Sequence, residues 1–263
     1  MTLIVSGSAR DLTEMINNFS SKYHDDFFYT NSLAKDYLST TPSMTKATAL
    51  AKALNTTLNN WGAGKRSAPT AQSIEVIARA LLLPALHSNL IELAKSSFYL
   101  TIDNGHRALR EGSPFTSISS FDQCLMSTLG DLSSMFLIDN TNVTYPMKLL
   151  LLITGLMPAL DSQVKGGLAI SGVPGINKTR YLLPEDMNVD AKKICCLPFY
   201  INDCASRHLE LIASAISDSL YPSLSNEYGR IFDILFFMQK TLTSSNRVIF
   251  FENQARGQKW YNI

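Results

Sequence analysis

One short segment of the sequence carries residues that could do chemistry together. Asp161 follows an apolar run and Pro158, and it precedes Ser162-Gln-Val-Lys165. A carboxylate fixed at the start of a helix can stabilise positive charge that develops in a reaction, or activate water. The simpler interpretation is that Asp161 only caps the helix that follows, which is worth about 1 kcal/mol. Both interpretations require a helix to begin directly after Asp161.

The segment 142–167 resembles part of the helix-hairpin-helix DNA glycosylases of the endonuclease III-like group. In that family a proline and small apolar residues precede an aspartate, which is followed by Thr or Ser, a polar residue, Val and a basic residue, as in Pro158-Ala-Leu-Asp-Ser-Gln-Val-Lys165. Upstream, Tyr145-Pro-Met-Lys148 resembles a degenerate form of the hairpin. The resemblance implies a helical DNA-binding fold with Asp161 as the catalytic carboxylate.

Two departures from the family pattern limit the activities that the resemblance implies. Thr144-Tyr-Pro-Met147 replaces the glycine-rich hairpin that presents backbone amides to a phosphate. Lys148 is the lysine nearest to the Schiff-base position of bifunctional members, but it lies closer to the aspartate than in that pattern. The resemblance therefore implies monofunctional base excision without lyase activity. Lys148 and Lys165 would contact backbone phosphates, and Tyr145 or Tyr181 would fill or flank a flipped-base pocket.

The stretch from Met44 to Leu82 is the most basic part of the chain. It contains five cations and one acid, which gives a local charge of +4, whereas the whole chain carries +1. Lys65 and Arg66 stand together after Gly62, where the preceding helix is predicted to end. Such a turn either contacts nucleic-acid phosphates or is an ordinary solvated surface.

The cysteines and histidines do not form a recognisable metal motif. Cys195 and Cys196 are adjacent, which does not match the separation of structural zinc ligands, although Cys204 and His208 would share a helix face. We therefore predict buried thiols, no metal and no cofactor. His24, beside Asp25 and Asp26, is predicted to lie in a solvated turn.

The spacing of apolar residues predicts a mostly α-helical protein. Helices are predicted after Ser8 and over 44–61, from Pro69 to Pro84, and over 85–97, 121–137, 146–157, 161–172, 207–220 and 228–242. Two short β-branched or aromatic segments, Thr2–Ser6 and Arg247–Glu252, are predicted to pair as a small ribbon. The polar stretch 105–120 is predicted to be a loop between helical lobes of residues 1–104 and 121–263, which could also form one domain.

Composition excludes several broad classes of protein. With 46% hydrophobic and 17% charged residues, the chain must fold around a sizeable core. No signal peptide is expected, the run 149–157 is too short to span a bilayer, and four cysteines without framework spacing fit a reducing compartment, so we expect a cytoplasmic protein without a membrane partner. The expected partner is DNA. The alternative is a non-enzymatic helical interaction module, which binds another protein or forms a homo-oligomer through the aromatic tail.

Overall fold

The computed structural model describes residues 2–173, 187–242, 247–252 and 260–261. This part of the chain is mostly helical, as predicted, and contains eleven α-helices. They are α1 (Ala9–Asn18), α2 (Ser21–Leu38), α3 (Met44–Asn60), α4 (Ile74–Leu81), α5 (Pro84–Ser96), α6 (Ile118–Phe136), α7 (Thr144–Thr154), α8 (Ser162–Ile170), α9 (Val189–Arg207), α10 (Leu209–Ser217) and α11 (Tyr228–Gln239).

Three antiparallel two-stranded ribbons join distant or neighbouring parts of the described chain. They pair β1 (Thr2–Val5) with β6 (Ile249–Glu252), β2 (Thr70–Ala71) with β5 (Leu137–Ile138), and β3 (Leu100–Asp103) with β4 (His106–Leu109). The predicted ribbon between the two ends of the chain is confirmed, with Thr2 opposite Glu252 and Val5 opposite Ile249.

Serine and aspartate side chains begin several helices at the predicted places. Ser8 accepts a hydrogen bond from the backbone of Asp11, and the Asp11 carboxylate accepts one in return from the backbone of Ser8, which makes a capping box at the start of α1. Ser43 caps α3 in the same way, by accepting from the backbone N–H of Lys46. These bonds satisfy amide groups that the first helical turn leaves unpaired.

Two predictions about polar segments are wrong. His24 is not in a solvated turn but inside α2, where it is 0% exposed. Its Nε2 lies 3.1 Å from the carbonyl oxygen of Ile16 and its ring stacks at 3.6 Å on Tyr221, so burial lowers the pKa of His24 to about 4. The stretch 105–120 is not wholly a loop, because β4 pairs with β3 and α6 begins at Ile118.

Helix α7 lies at the centre of the hydrophobic core. Its leucines from Leu149 to Leu152 are fully buried, and it packs against α2, α3, α5 and α6. Cys195, Cys196 and Cys204 are buried in α9, as predicted. In the described residues no single helix is long and apolar enough to cross a membrane, and one bent pair, Ile74–Leu81 with Pro84–Ser96, meets that test on length and composition alone.

Helices α8 and α11 approach each other closely because α8 carries two adjacent glycines. A Cβ atom added to Gly167 would lie 1.8 Å from the backbone oxygen of Phe236. We therefore expect Gly167→Ala to lower the free energy of unfolding by about 3 kcal/mol, since backbone atoms must move apart. Gly130→Ala in α6 is the matched control, because nothing lies within 4 Å of its Cβ position. It should raise the free energy of unfolding by about 0.4–1 kcal/mol. Urea titration of both variants measures the two changes.

Candidate functional site

Residues from α2, α7 and α11, from the ends of α1 and α3 and from the start of α8 meet around one small pocket, which we call the aromatic pocket. Its empty volume is about 440 Å³. It is lined by Phe19, Tyr23, Trp61, Lys148, Ala159, Asp161, Arg230, Asp233 and Phe237. The chain positions run from the first helix to the last, so only the folded protein brings these side chains together.

Asp161 caps a helix and also lies at the aromatic pocket. It is the N-cap residue of α8, and its Oδ1 accepts hydrogen bonds of 2.9 Å from the backbone N–H groups of Gln163 and Val164. The half-buried side chain also lines the aromatic pocket. Within the described residues, its Oδ2 has no hydrogen-bond partner. Capping therefore fixes the direction of the carboxylate and leaves one oxygen available for a ligand.

Lys148 lies in the same pocket, on the buried face of α7. It is 8% exposed, its Nζ donates a 3.0 Å hydrogen bond to the carbonyl oxygen of Trp61, and it sits 4.6 Å from the centre of the Tyr145 ring. Burial lowers the pKa of Lys148, although the negative charges of Asp161 and Asp233 oppose this effect. This position differs from that expected for a phosphate contact, because the side chain is almost fully buried and its amine is bonded to a backbone carbonyl oxygen.

A buried ion pair on α11 forms one side of the aromatic pocket. Arg230 is 1% exposed, and it donates a 2.7 Å hydrogen bond from Nη1 to Oδ2 of Asp233 and another from Nη2 to the carbonyl oxygen of Tyr23. The backbone N–H of Ala159 donates to the other Asp233 oxygen at 3.1 Å. Burial raises the pKa of Asp233 to about 6, whereas the Arg230 charge acts in the opposite direction.

Aromatic rings make the remaining walls. Phe19 and Phe237 meet edge to face at 5.2 Å between ring centres, and Tyr23 and Trp61 do so at 6.1 Å. The indole N–H of Trp61 donates to Asp26 at 3.2 Å, which fixes the orientation of that ring. Flat apolar walls with a few fixed polar groups suit a planar heteroaromatic ligand.

A second depression, which we call the basic groove, lies beside the aromatic pocket. It is lined by Gly62, Lys65, Arg66, Ser67, Ala68, Pro69, Asn142, Thr144 and Tyr145, with an empty volume of about 860 Å³. Lys65 and Arg66 are exposed, whereas Tyr145 is 8% exposed and separates this groove from Lys148. The structure therefore brings Lys65, Arg66 and Tyr145 together, as a shared nucleic-acid-binding role requires.

The other predicted site residues lie elsewhere or outside the described residues. Lys165 is half-buried in α8, one turn after Asp161. Tyr181 lies outside the described residues, so its predicted role near a flipped base stays a prediction. Among the described residues there is no group of three or more side chains that could hold a metal ion.

Sequence reasoning missed the Arg230–Asp233 pair and the aromatic walls. The available signal was an Arg and an Asp three residues apart in an otherwise apolar helix, since buried charges of this kind are almost always paired. Phe19 and Trp61 gave no such signal, because a single aromatic residue at helical spacing is typical of a core position.

The capping bonds of Asp161 can be measured separately from any reaction. We expect Asp161→Ala to lower the free energy of unfolding by about 0.5–2 kcal/mol, because two backbone N–H groups lose their acceptor. Asp161→Asn should retain most of the stability, since asparagine caps nearly as well. Urea unfolding of the two variants would contradict the capping role if both lost the same amount.

Comparison with family models, curated proteins and solved structures gives no significant match. The function must therefore be argued from the geometry of the aromatic pocket and the basic groove.

Proposed function

We propose that the protein excises a base from DNA, with the aromatic pocket as the site of reaction. The observation that carries this proposal is that Asp161, one of whose carboxylate oxygens is not used in capping, and the buried Lys148 line one small pocket with aromatic walls. Each group has a known use in cleaving the bond between a sugar and a base. Their meeting in one pocket is not needed for capping or for packing.

The pocket walls support a nucleobase as the ligand. A base turned out of a duplex loses its stacking partners, and aromatic side chains such as Trp61 and Tyr23 replace them. The charges in the pocket also balance, since Lys148 and Arg230 face Asp161 and Asp233. A neutral planar ring can therefore enter without leaving an uncompensated charge.

The chemistry assigns different tasks to the two reactive groups. Asp161 stabilises the positive charge that develops on the sugar as the bond from C1′ to the base breaks, and the base leaves with the electron pair and takes up a proton. The Lys148 nitrogen then forms a bond to C1′ and releases a proton. When the sugar ring opens, the ring oxygen takes up a proton and a protonated imine joins C1′ to Lys148.

This proposal departs from the expectation from sequence, which was monofunctional excision by Asp161 with Lys148 in contact with a backbone phosphate. Two observations on Lys148 support the amine step: its place in the same pocket as Asp161, and the lowered pKa, which increases the fraction of uncharged amine at a given pH. A non-enzymatic interaction module is the alternative, and the hydrogen bonds that Oδ1 of Asp161 accepts from the backbone at the start of α8 are compatible with it.

An excision assay tests the proposal. Labelled duplex and single-stranded oligonucleotides that carry oxidised, deaminated or alkylated bases, or mismatches, are incubated with the protein and then cleaved with alkali at abasic sites. We expect strand cleavage for at least one lesion, and a loss of at least about 100-fold with Asp161→Asn. Absence of cleavage with every substrate, or unchanged cleavage by a folded Asp161→Asn variant, would overturn the proposal.

A further inference from the structure

The basic groove has the composition of an anion site. Its lining residues include two cations, Lys65 and Arg66, and no carboxylate. Neither cation forms an ion pair within the described residues. Two exposed like charges side by side repel each other unless an anion lies between them. The hydroxyl group of Ser67 adds a further donor at the same place.

The turn that carries these cations has a fixed backbone. The N–H of Gly64 donates to the carbonyl oxygen of Pro69 at 2.9 Å, and the N–H of Ala68 donates to that of Lys65 at 3.0 Å. Gly62 and Arg66 both have positive φ, at 98° and 55°. Arginine rarely adopts this conformation, so the turn is held in place by its surroundings. A fixed turn loses little conformational entropy when it binds a ligand.

The basic groove and the aromatic pocket share a wall. Tyr145 lines the groove, and its ring is in contact with the amine of Lys148 on the pocket side. Thr144, also in the groove, donates from its hydroxyl to the carbonyl oxygen of Leu160, the residue before Asp161. A ligand that fills both depressions therefore carries an anionic group close to a planar group, as a nucleotide does.

We propose that the basic groove binds the phosphodiester next to the nucleotide whose base enters the aromatic pocket, through Lys65 and Arg66. This inference rests on the proposed function, because it assigns the substrate as a nucleic-acid strand. The shared chemistry of the ligand is a phosphate group, which a free nucleotide could also supply. The exposed Lys240, whose side chain lies over Gly166 and which follows Phe237 of the pocket by three residues, favours the strand. A strand has a second phosphate to reach it.

The test uses binding and not excision. A labelled oligonucleotide with one stable tetrahydrofuran abasic analogue is titrated by fluorescence anisotropy, and each flanking phosphate in turn is replaced by a neutral methylphosphonate. We expect one replacement to weaken binding by roughly tenfold with the unaltered protein and to have no further effect with the Lys65→Gln/Arg66→Gln variant. That variant should also reduce the slope of log affinity against log salt by about 1.4 for a single strand.

Lys95→Gln is the matched control, because Lys95 is exposed and lines a different depression, at the far end of α7. It should change neither the affinity nor the salt slope. Additive losses from the methylphosphonate and the groove variant would overturn the proposal, as would a nucleoside monophosphate that binds as tightly as the oligonucleotide. If the methylphosphonate has no further effect in the groove variant but no base excision is detected, the proposed function is overturned and the phosphate site is supported.

Discussion

Replacing Lys148 with methionine should abolish the covalent complex that borohydride traps between the protein and its DNA substrate. Reduction of the protonated imine gives a stable amine bond, and methionine has no nitrogen to form it. Methionine keeps nearly the same length and fills the same space beside Tyr145, so the fold should survive. The complex is detected as a shift of labelled DNA on a denaturing gel, and a loss of at least about 100-fold is expected.

The pH dependence of trapping identifies the amine more specifically. Only the uncharged amine attacks, so the trapping rate should rise with pH until it passes the pKa of the nucleophile and then become constant. Because burial lowers the pKa of Lys148, the plateau should begin below about 10.4, the ordinary value for lysine. An exposed lysine acting by chance would give a rate that still rises at that pH.

Two further variants show whether a loss of trapping comes from the missing amine or from a failure to fold. Lys148→Arg keeps a positive charge in the pocket but cannot form the imine, so it should lose trapping while it unfolds at a similar urea concentration. Lys95→Met removes an exposed lysine far from the pocket and should leave trapping unchanged. Trapping that persists in a folded Lys148→Met protein would exclude the amine from the mechanism.

Local signals in the sequence were sufficient to predict most of the helices and the ribbon at the chain ends. Some of these patterns span only a few residues, such as the capping pair Ser8 and Asp11 and the β-branched segment that forms β1. They can therefore be recognised without knowledge of the fold. Helix α2 was missed because its buried face carries polar residues such as His24, Thr30 and Asn31 among its aromatic ones, so the spacing of apolar residues does not mark it. Burial of a histidine by Tyr221, nearly two hundred residues away, leaves no local pattern.

The candidate site was predictable only in part for the same reason. Asp161 could be found because a cap, a turn and an apolar helix are adjacent in the chain. Lys148 was identified, but its pattern could not show that the amine turns inward to the carbonyl oxygen of Trp61. That contact joins α7 to the end of α3, and the Arg230 contact with Tyr23 joins α11 to α2. Such tertiary contacts decide which groups share a pocket, and they are not encoded in spacing.

Replacing Arg230 with methionine should lower the free energy of unfolding by about 3–5 kcal/mol at neutral pH. Asp233 would then be a buried carboxylate whose only remaining described hydrogen bond comes from the backbone of Ala159. The guanidinium also contacts the rings of Phe19, Phe27 and Trp61 at 5.0–5.3 Å, and those contacts are lost as well. Urea unfolding followed by tryptophan fluorescence measures the change.

The double variant Arg230→Met/Asp233→Asn should recover a large part of this loss, because it removes the uncompensated charge along with its partner. A double variant as unstable as Arg230→Met would show that the ring contacts of Arg230, and not the charge of Asp233, dominate the effect.

The pH dependence of the same variants gives the sign of the Asp233 contribution. Burial already raises the pKa of Asp233 to about 6, and loss of the Arg230 charge should raise it further. A carboxyl group with a raised pKa in the folded state destabilises the protein when ionised, and the penalty disappears as pH falls through that pKa. The cost of Arg230→Met should therefore be smaller at about pH 5 than at about pH 8.

His24, whose lowered pKa makes both proteins less stable as pH falls, titrates in this range too. The comparison of Arg230→Met with Arg230→Met/Asp233→Asn removes that shared contribution, and a difference between the two that does not change with pH would contradict the role of Asp233.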